Sequence, residues 1–348
     1  MLYWIVFLLF SLFFAHISTD NRFDKKIREI TKLLLIITVI IFSGFRDGLG
    51  EDYQGYYYNL INGRYLNITF YEPLLSLIAN LIYYTKLSPL FFFLFCAIVT
   101  NVLFINTFYR YENAFIIIFI YLTATIFFFN TFNLVRQMFA ASIFMYSVRF
   151  IEDKKFIKYL ICILVASTMH FSSIYLIPIY FLVNGTYSRT IYFIILFASI
   201  ILGQILTIDL ASIFSKYINT YEVYFESEIT YSSGLLTLFF NLHLLFFIIF
   251  KDKVFTNSRN TIVFNFFFIG VILYNMITSF FYIYRFSIYF IIFAPIVIPA
   301  LGKIIGKYKS DIILILVFGI MMFLFLYNGI DNKIIVPNRI LPLSSILD

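Results

Sequence analysis

The feature that most constrains this chain is its punctuation. Apolar runs of helical length follow one another with only short polar breaks: 2–19, 32–45, 71–86, 88–108, 114–130, 134–151, 156–170, 172–183, 190–207, 234–250, 261–281, 287–302 and 311–328. About 20 apolar residues in a helix match the ~30 Å hydrocarbon core of a bilayer. In lipid, backbone polar groups must be satisfied within the segment, so spans of this kind are helices. Composition agrees: 62% of the 348 residues are hydrophobic and only 12% are charged. A soluble core of this size cannot hide that much apolar surface, and disorder, collagen and coiled coil are excluded by the same values. The fold class is an all-α polytopic integral membrane protein. Several runs fall short of a full crossing, a pattern expected where a cavity enters the membrane.

The few charges then set orientation. The net charge is +7. In a soluble protein that points toward nucleic acid, but here cytoplasmic anchoring by the positive-inside rule accounts for it. Arg22, Lys25, Lys26, Arg28 and Lys32 crowd one break; Arg149, Lys154, Lys155 and Lys158 another; Lys251, Lys253 and Arg259 a third; Lys303, Lys307 and Lys309 a fourth. With these four inside, the N-terminus and the loop 46–70 lie outside. Residues 1–18 lack a basic n-region and a small-x-small cleavage site, so a retained first span is expected. Arg136 must also lie outside, and parity then requires one of the runs before it not to cross. The run 71–86 is assigned as re-entrant or interfacial: it is short, begins Tyr71-Glu72-Pro73 and carries Asn80. Residues 156–183 must reverse near Met169-His170-Phe171-Ser172-Ser173, which places His170 at an outer face. About 12 transmembrane helices plus the re-entrant segment result, both termini outside, in a single domain over 1–348. A second outer loop is expected at 209–232. Cys96 and Cys162 lie in apolar runs and read as core thiols.

Four groups remain on the outer side. Arg46-Asp47-Gly48-Leu49-Gly50-Glu51-Asp52-Tyr53, with Tyr56 following, joins a bidentate phosphate binder to permissive glycines and carboxylates. Asn133-Leu134-Val135-Arg136-Gln137 opens a helix, where the dipole favours anions. His170 beside Ser172 and Ser173 has the chemistry of a general base. Tyr284-Arg285-Phe286-Ser287-Ile288-Tyr289-Phe290 carries an arginine at membrane depth, which needs a partner or a cavity. Each has a plainer reading: a polar capping loop, a snorkelling arginine, a helix-end histidine. His16 reads as structural, and His243 is a weaker candidate for a cavity role. Arg46, Arg136 and Arg285 on one face, against the topological bias, point to an anionic ligand such as a lipid diphosphate. There is no P-loop, zinc motif, kinase signature, nucleophile elbow or Asp-x-Asp motif.

Taken in order, Arg46-Asp47-Gly48 to Asp52-Tyr53 and Tyr56, Glu72-Pro73, Asn133 with Arg136-Gln137, His170-Phe171-Ser172-Ser173 and Arg285 to Phe290 resemble the EpsG-like branch of the Wzy-type polysaccharide polymerases, over about 40–300. The resemblance implies a metal-independent glycosyltransferase of O-antigen, capsule or exopolysaccharide synthesis in the bacterial inner membrane, its active site facing outward. Its substrate would be an undecaprenyl-diphosphate-linked oligosaccharide. Its partners would be membrane lipid, a chain-length regulator and a flippase, with no nucleic acid and no cofactor. The residues suit that reaction. Arg136 and Arg285, assisted by Arg46, would hold the diphosphate; His170 or Asp52 would deprotonate the acceptor; Glu72 would orient a sugar or pair with an arginine, and Gln137, Asn133, Tyr53 and Tyr289 would line the substrate with it. A polysaccharide ligase, a flippase without chemistry and a membrane-bound acyltransferase are the competing readings.

Overall fold

The computed structural model describes residues 2–50, 52–66, 71–215, 234–276, 281–331 and 339–340. Each apolar run of the sequence contains helix. In chain order the helices are α1 (Leu2–Thr19), α2 (Lys25–Gly44), α3 (Tyr53–Ile61), α4 (Pro73–Thr85), α5 (Leu90–Phe108), α6 (Ala114–Thr123), α7 (Asn130–Asn133), α8 (Val135–Glu152) and α9 (Phe156–Ser167). A 3-10 turn follows at Phe171–Leu176. Then come α10 (Ile179–Leu182), α11 (Arg189–Ser215), α12 (Gly234–Ile249), α13 (Lys251–Val254), α14 (Ser258–Asn275), α15 (Phe281–Ile291), α16 (Ala294–Val297), α17 (Gly302–Ile305) and α18 (Lys307–Asp331). Among the described residues the extended structure is a two-residue antiparallel pairing of β1 (Arg46–Asp47) with β2 (Arg339–Ile340). Among the described residues three helical stretches, Leu90–Phe108, Arg285–Ile305 and Lys307–Leu326, are long and apolar enough to cross a membrane.

Packing divides the chain into two compact units, Met1–Pro178 with Tyr308–Asp348, and Ile179–Lys307. In the first, α2 packs on α1 and α5, α8 on α5 and α9, and α6 on α1. Between helices already surrounded by lipid there is no water to expel, so close packing and interhelical hydrogen bonds hold them. Both are present. A Cβ on Gly44 would lie 2.9 Å from Leu94 Cδ1 and 3.2 Å from Leu94 Cα, so glycine lets α2 approach α5. Beside it, Asn101 Nδ2 donates to Ser43 Oγ at 3.0 Å. Trp4 stacks on Phe129 at 4.6 Å and meets Phe42 edge-on at 4.6 Å, while Phe7 stacks on Phe42 at 3.9 Å. Such ring pairs contribute roughly 0.5–1.5 kcal/mol each beyond area burial. In the second unit α14 is the hub, packed on α11, α12 and α15. Asn275 and Asn241 exchange amide hydrogen bonds of 2.6 and 3.0 Å, and Asn275 also donates to Ser199 Oγ at 2.8 Å. This network ties three helices without a charge. The His243 ring lies 4.1 Å from that of Phe239, with Nδ1 2.8 Å from the Phe239 carbonyl one turn back. Those contacts are local to α12.

Three boundaries differ from the sequence reading. The run 114–130 is not one helix: α6 ends at Thr123, and turns lead into α7. Its uniform apolarity concealed the break. Lys25 to Lys32 lie on the first turns of α2 rather than in a loop, because a basic residue on an exposed helix face is as well solvated as one in a turn. Residues 209–215 continue α11, so the expected loop 209–232 is shorter; the rest of it lies outside the described residues. The reversal expected at His170 is present. Tyr159, in the first turn of α9, donates through its hydroxyl to the Leu176 carbonyl at 2.6 Å, so the 3-10 turn folds back along the helix that precedes it.

Candidate functional site

Three chain breaks of the first unit converge on Glu72. Pro73 fixes the first turn of α4, a position that needs no backbone N–H, so Glu72 stands just outside the helix. The amide of Leu74 donates to the Thr168 carbonyl at 2.9 Å, which docks the start of α4 on the end of α9. On that junction Glu72 Oε1 accepts the Phe171 amide at 3.1 Å and faces His170 Nδ1 at 3.3 Å. The other oxygen, Oε2, accepts from Arg136 Nη1 in a short ion pair. One carboxylate therefore bridges an arginine at the start of α8 and a histidine at the break after α9. Burial would raise the Glu72 carboxyl, but the His170 contact, the charges of Arg136 and His170 and the Phe171 amide outweigh it and hold the group below 4.5. Glu72 is ionised at neutral pH.

Arg136 is the second residue of α8. Its Nε donates to the Tyr56 hydroxyl at 3.3 Å, and the guanidinium lies 5.7 Å from the ring centres of both Tyr56 and Tyr65. Among the described residues Nη2 makes no hydrogen bond, and the side chain keeps 23% of its exposure. The fork is thus fixed at one edge with donor capacity left at the other, which is what binding an external anion requires.

Arg46 is different. It is 2% exposed, and its Nη1 donates to the Ser43 and Thr131 carbonyls at 3.2 and 3.3 Å, its Nη2 to Phe132 at 3.3 Å. The rings of Phe93 and Phe132 cover it at 4.7 and 5.0 Å. Burial lowers its pKa to about 10, so it remains a cation in a cage of carbonyls and rings. A guanidinium so enclosed is not placed to touch a substrate phosphate, as had been expected of it.

The remaining candidates sort by exposure. Tyr53 is 2% exposed and stacked on Phe93 at 4.8 Å, and Tyr289 is fully buried. Their rings are core, so neither offers a face to a sugar. Gln137 is buried in α8, and Asn133 is half-buried in the turn before it. Asp52 is half-buried at the start of α3, and among the described residues its carboxylate has no ion pair or hydrogen bond. Glu51 lies outside the described residues. Arg285 is half-buried on α15 in the second unit. Among the described residues no cluster of three or more His, Cys, Asp or Glu side chains of the kind that holds a metal is found. Sequence reasoning missed Tyr65 and the Phe171 amide. A tyrosine in a tyrosine-rich loop is indistinguishable from an interfacial anchor, and a backbone donor leaves no residue signature.

No curated protein and no solved structure matches the chain significantly. A family model does: that of the EpsG family, over residues 29–345. The match takes in every residue of the Glu72 cluster and nearly the whole chain, and on it the protein belongs to the EpsG family.

Proposed function

We propose that this membrane protein of polysaccharide biosynthesis is a polymerase that moves a glycan from an undecaprenyl diphosphate carrier onto a new lipid-linked repeat unit. In the proposed topology about twelve helices cross the bacterial inner membrane and the Glu72 cluster opens on its outer face. The observation that carries the reading is the Glu72 bridge between His170 and Arg136. The Glu72 carboxylate, 3.3 Å from Nδ1, favours the imidazole tautomer protonated there, which leaves the lone pair of a general base on Nε2. Within the same bridge Arg136 turns a spare guanidinium edge outward at the N-terminus of an 18-residue helix, where the dipole adds to its attraction for anions.

In the proposed step His170 takes the proton of the acceptor hydroxyl. The hydroxyl oxygen bonds to the donor's anomeric carbon, and the bond from that carbon to the diphosphate oxygen breaks. Arg136 takes up the negative charge of the departing undecaprenyl diphosphate. The developing imidazolium is balanced by Glu72. No metal enters this scheme; in its support, the sequence has no Asp-x-Asp motif of the kind that metal-dependent sugar-nucleotide transferases use.

The test is complementation of a polymerase-null strain with His170→Ala and Arg136→Ala. Both should reduce surface polysaccharide to single capped units while the protein persists in the membrane. Long polymer from either stably inserted variant removes that residue from the chemistry. Accumulation of long lipid-linked chains in their place would assign the protein to the ligase class.

A further inference from the structure

The Arg46-to-Gly50 loop looks in sequence like a cradle for phosphate, yet its contacts run inward. Two of the three carbonyls that Arg46 holds, Thr131 and Phe132, belong to the turn that leads into α8. The Phe132 ring that covers Arg46 belongs to the same turn. Gly50 meets that turn from the other end of the loop. It has φ of +107°, and a Cβ there would lie 2.5 Å from the Phe132 oxygen and 3.0 Å from Asn133 Oδ1. The contact is closer than a side chain allows, so the loop backbone rests directly on the turn. From there the path to the site is short. The Leu134 amide donates to the Asn130 carbonyl at 2.8 Å, closing the turn, and Arg136 follows two residues later. The far side of Arg46 is anchored to Phe93 of α5, where Phe93 also stacks on Tyr53, and neighbouring Phe92 packs on Tyr56 at 5.5 Å. Tyr56 is the hydroxyl that Arg136 Nε holds. Arg46 and Gly50 thus grip one turn at two points, and Phe93 of α5 borders both that grip and, edge-on at 6.3 Å, the Tyr56 ring beside Arg136.

From these contacts we infer that Arg46 and Gly50 brace the 131–133 turn and so position Arg136, and that Arg46 acts through Arg136 rather than by touching the substrate. The inference rests on the proposed role of Arg136 and deepens it. Gly48 provides an internal contrast. It has φ of +66°, but a Cβ there would meet nothing within 4 Å. It needs a left-handed backbone and nothing more, and asparagine meets that need.

The experiment is a double-mutant cycle on full-length protein in membranes, supplied with lipid-linked repeat units extracted from a polymerase-null strain. Arg46→Lys keeps the charge and loses the fork. It should lower kcat/KM by about 100-fold, the scale of a misplaced reacting group. The double variant Arg46→Lys, Arg136→Lys should be no worse than Arg136→Lys alone, since nothing is left to position. Gly50→Ala should behave as Arg46→Lys does, alone and in the cycle, while Gly48→Asn stays near wild type. Losses that multiply in the double variant would show that Arg46 contributes on its own and would overturn the inference, as would wild-type turnover of Arg46→Lys. Should Arg46→Lys fail to accumulate in membranes, the Gly50→Ala cycle decides by the same criterion. Wild-type turnover of Arg136→Lys would instead overturn the proposed role of Arg136, a result distinguishable from the others.

Discussion

Two arginines of the first unit, Arg46 and Arg136, carry the same charge within one stretch of packing and are satisfied in opposite ways. Arg46 is enclosed by carbonyls and rings, with no carboxylate among the described residues to balance it. Arg136 is balanced by the ionised Glu72, keeps part of its surface, and leaves one nitrogen unbonded. Carbonyl dipoles spread over three backbone sites anchor the Arg46 fork where burial keeps its remaining N–H groups from solvent. A single carboxylate at one edge orients a guanidinium and leaves the other edge available. The manner of compensation therefore separates a structural cation from one that can meet a ligand more sharply than burial or charge alone.

The largest effects should come where the comparison assigns chemistry. His170→Ala should lower polymer formation by about 10²–10⁴-fold, the usual contribution of a general base, and Arg136→Ala should fall in the same range, both read as loss of the polysaccharide ladder. Arg46→Ala should show itself in stability as well, beyond the turnover lost with its bracing of Arg136. Truncation strands three carbonyls and leaves a void, a loss of about 3 kcal/mol, measured as a lower Tm in detergent. An Arg46→Ala protein as stable as wild type would break the comparison at its base.

Glu72 provides a smaller effect with a definite sign. Its folded pKa lies below the ordinary 4.5, so its contribution is fully present above the unfolded value and is lost as pH falls through the folded one. Glu72→Gln should therefore destabilise the protein by about 2 kcal/mol with little change between pH 5 and pH 8, and the gap to wild type should close below pH 4. A gap that widened in acid would mean that the carboxyl is protonated in the folded state and that Arg136 is balanced by something else.

How much of this was legible in the sequence depends on what kind of contact decides each feature. The helices were legible because apolar runs between polar breaks are a property of the chain itself. The break within 114–130 was not, since Ala124 to Phe129 are turned by their neighbours rather than by a glycine or proline. At the site, Arg136 was marked as a charge that topology did not explain, His170 as a histidine at an outer helix end, and Glu72 through the family resemblance. Their convergence on one carboxylate was not legible, because it depends on the α4 amide of Leu74 docking on Thr168, nearly a hundred residues away. Arg46 was read as a ligand because sequence reveals that a charge is present but not which way it faces. Tyr53 and Tyr289 were misread in the same way, and for rings the direction is everything.

The smallest predicted effect tests the aromatic side of the contrast. Both arginines lie against two rings, but those around Arg46 stand at 4.7 and 5.0 Å and those around Arg136 at 5.7 Å. At the longer distance, with part of the guanidinium in contact with solvent, each ring should contribute about 0.5–1 kcal/mol. Tyr56 also accepts a hydrogen bond from Nε, whereas the hydroxyl of Tyr65 accepts from Asn59 Nδ2 at 3.2 Å. Tyr65→Leu removes a ring face and nothing that Arg136 bonds to, so kcat/KM should fall only about threefold, and Tyr65→Phe should restore most of it. A loss from Tyr65→Leu as large as that from Arg136→Ala would mean that the ring serves the substrate directly. The cage around Arg136 would then be a sugar-stacking wall first and a support for the cation second, and the difference between the two arginines would lie in what their rings face rather than in how their charges are balanced.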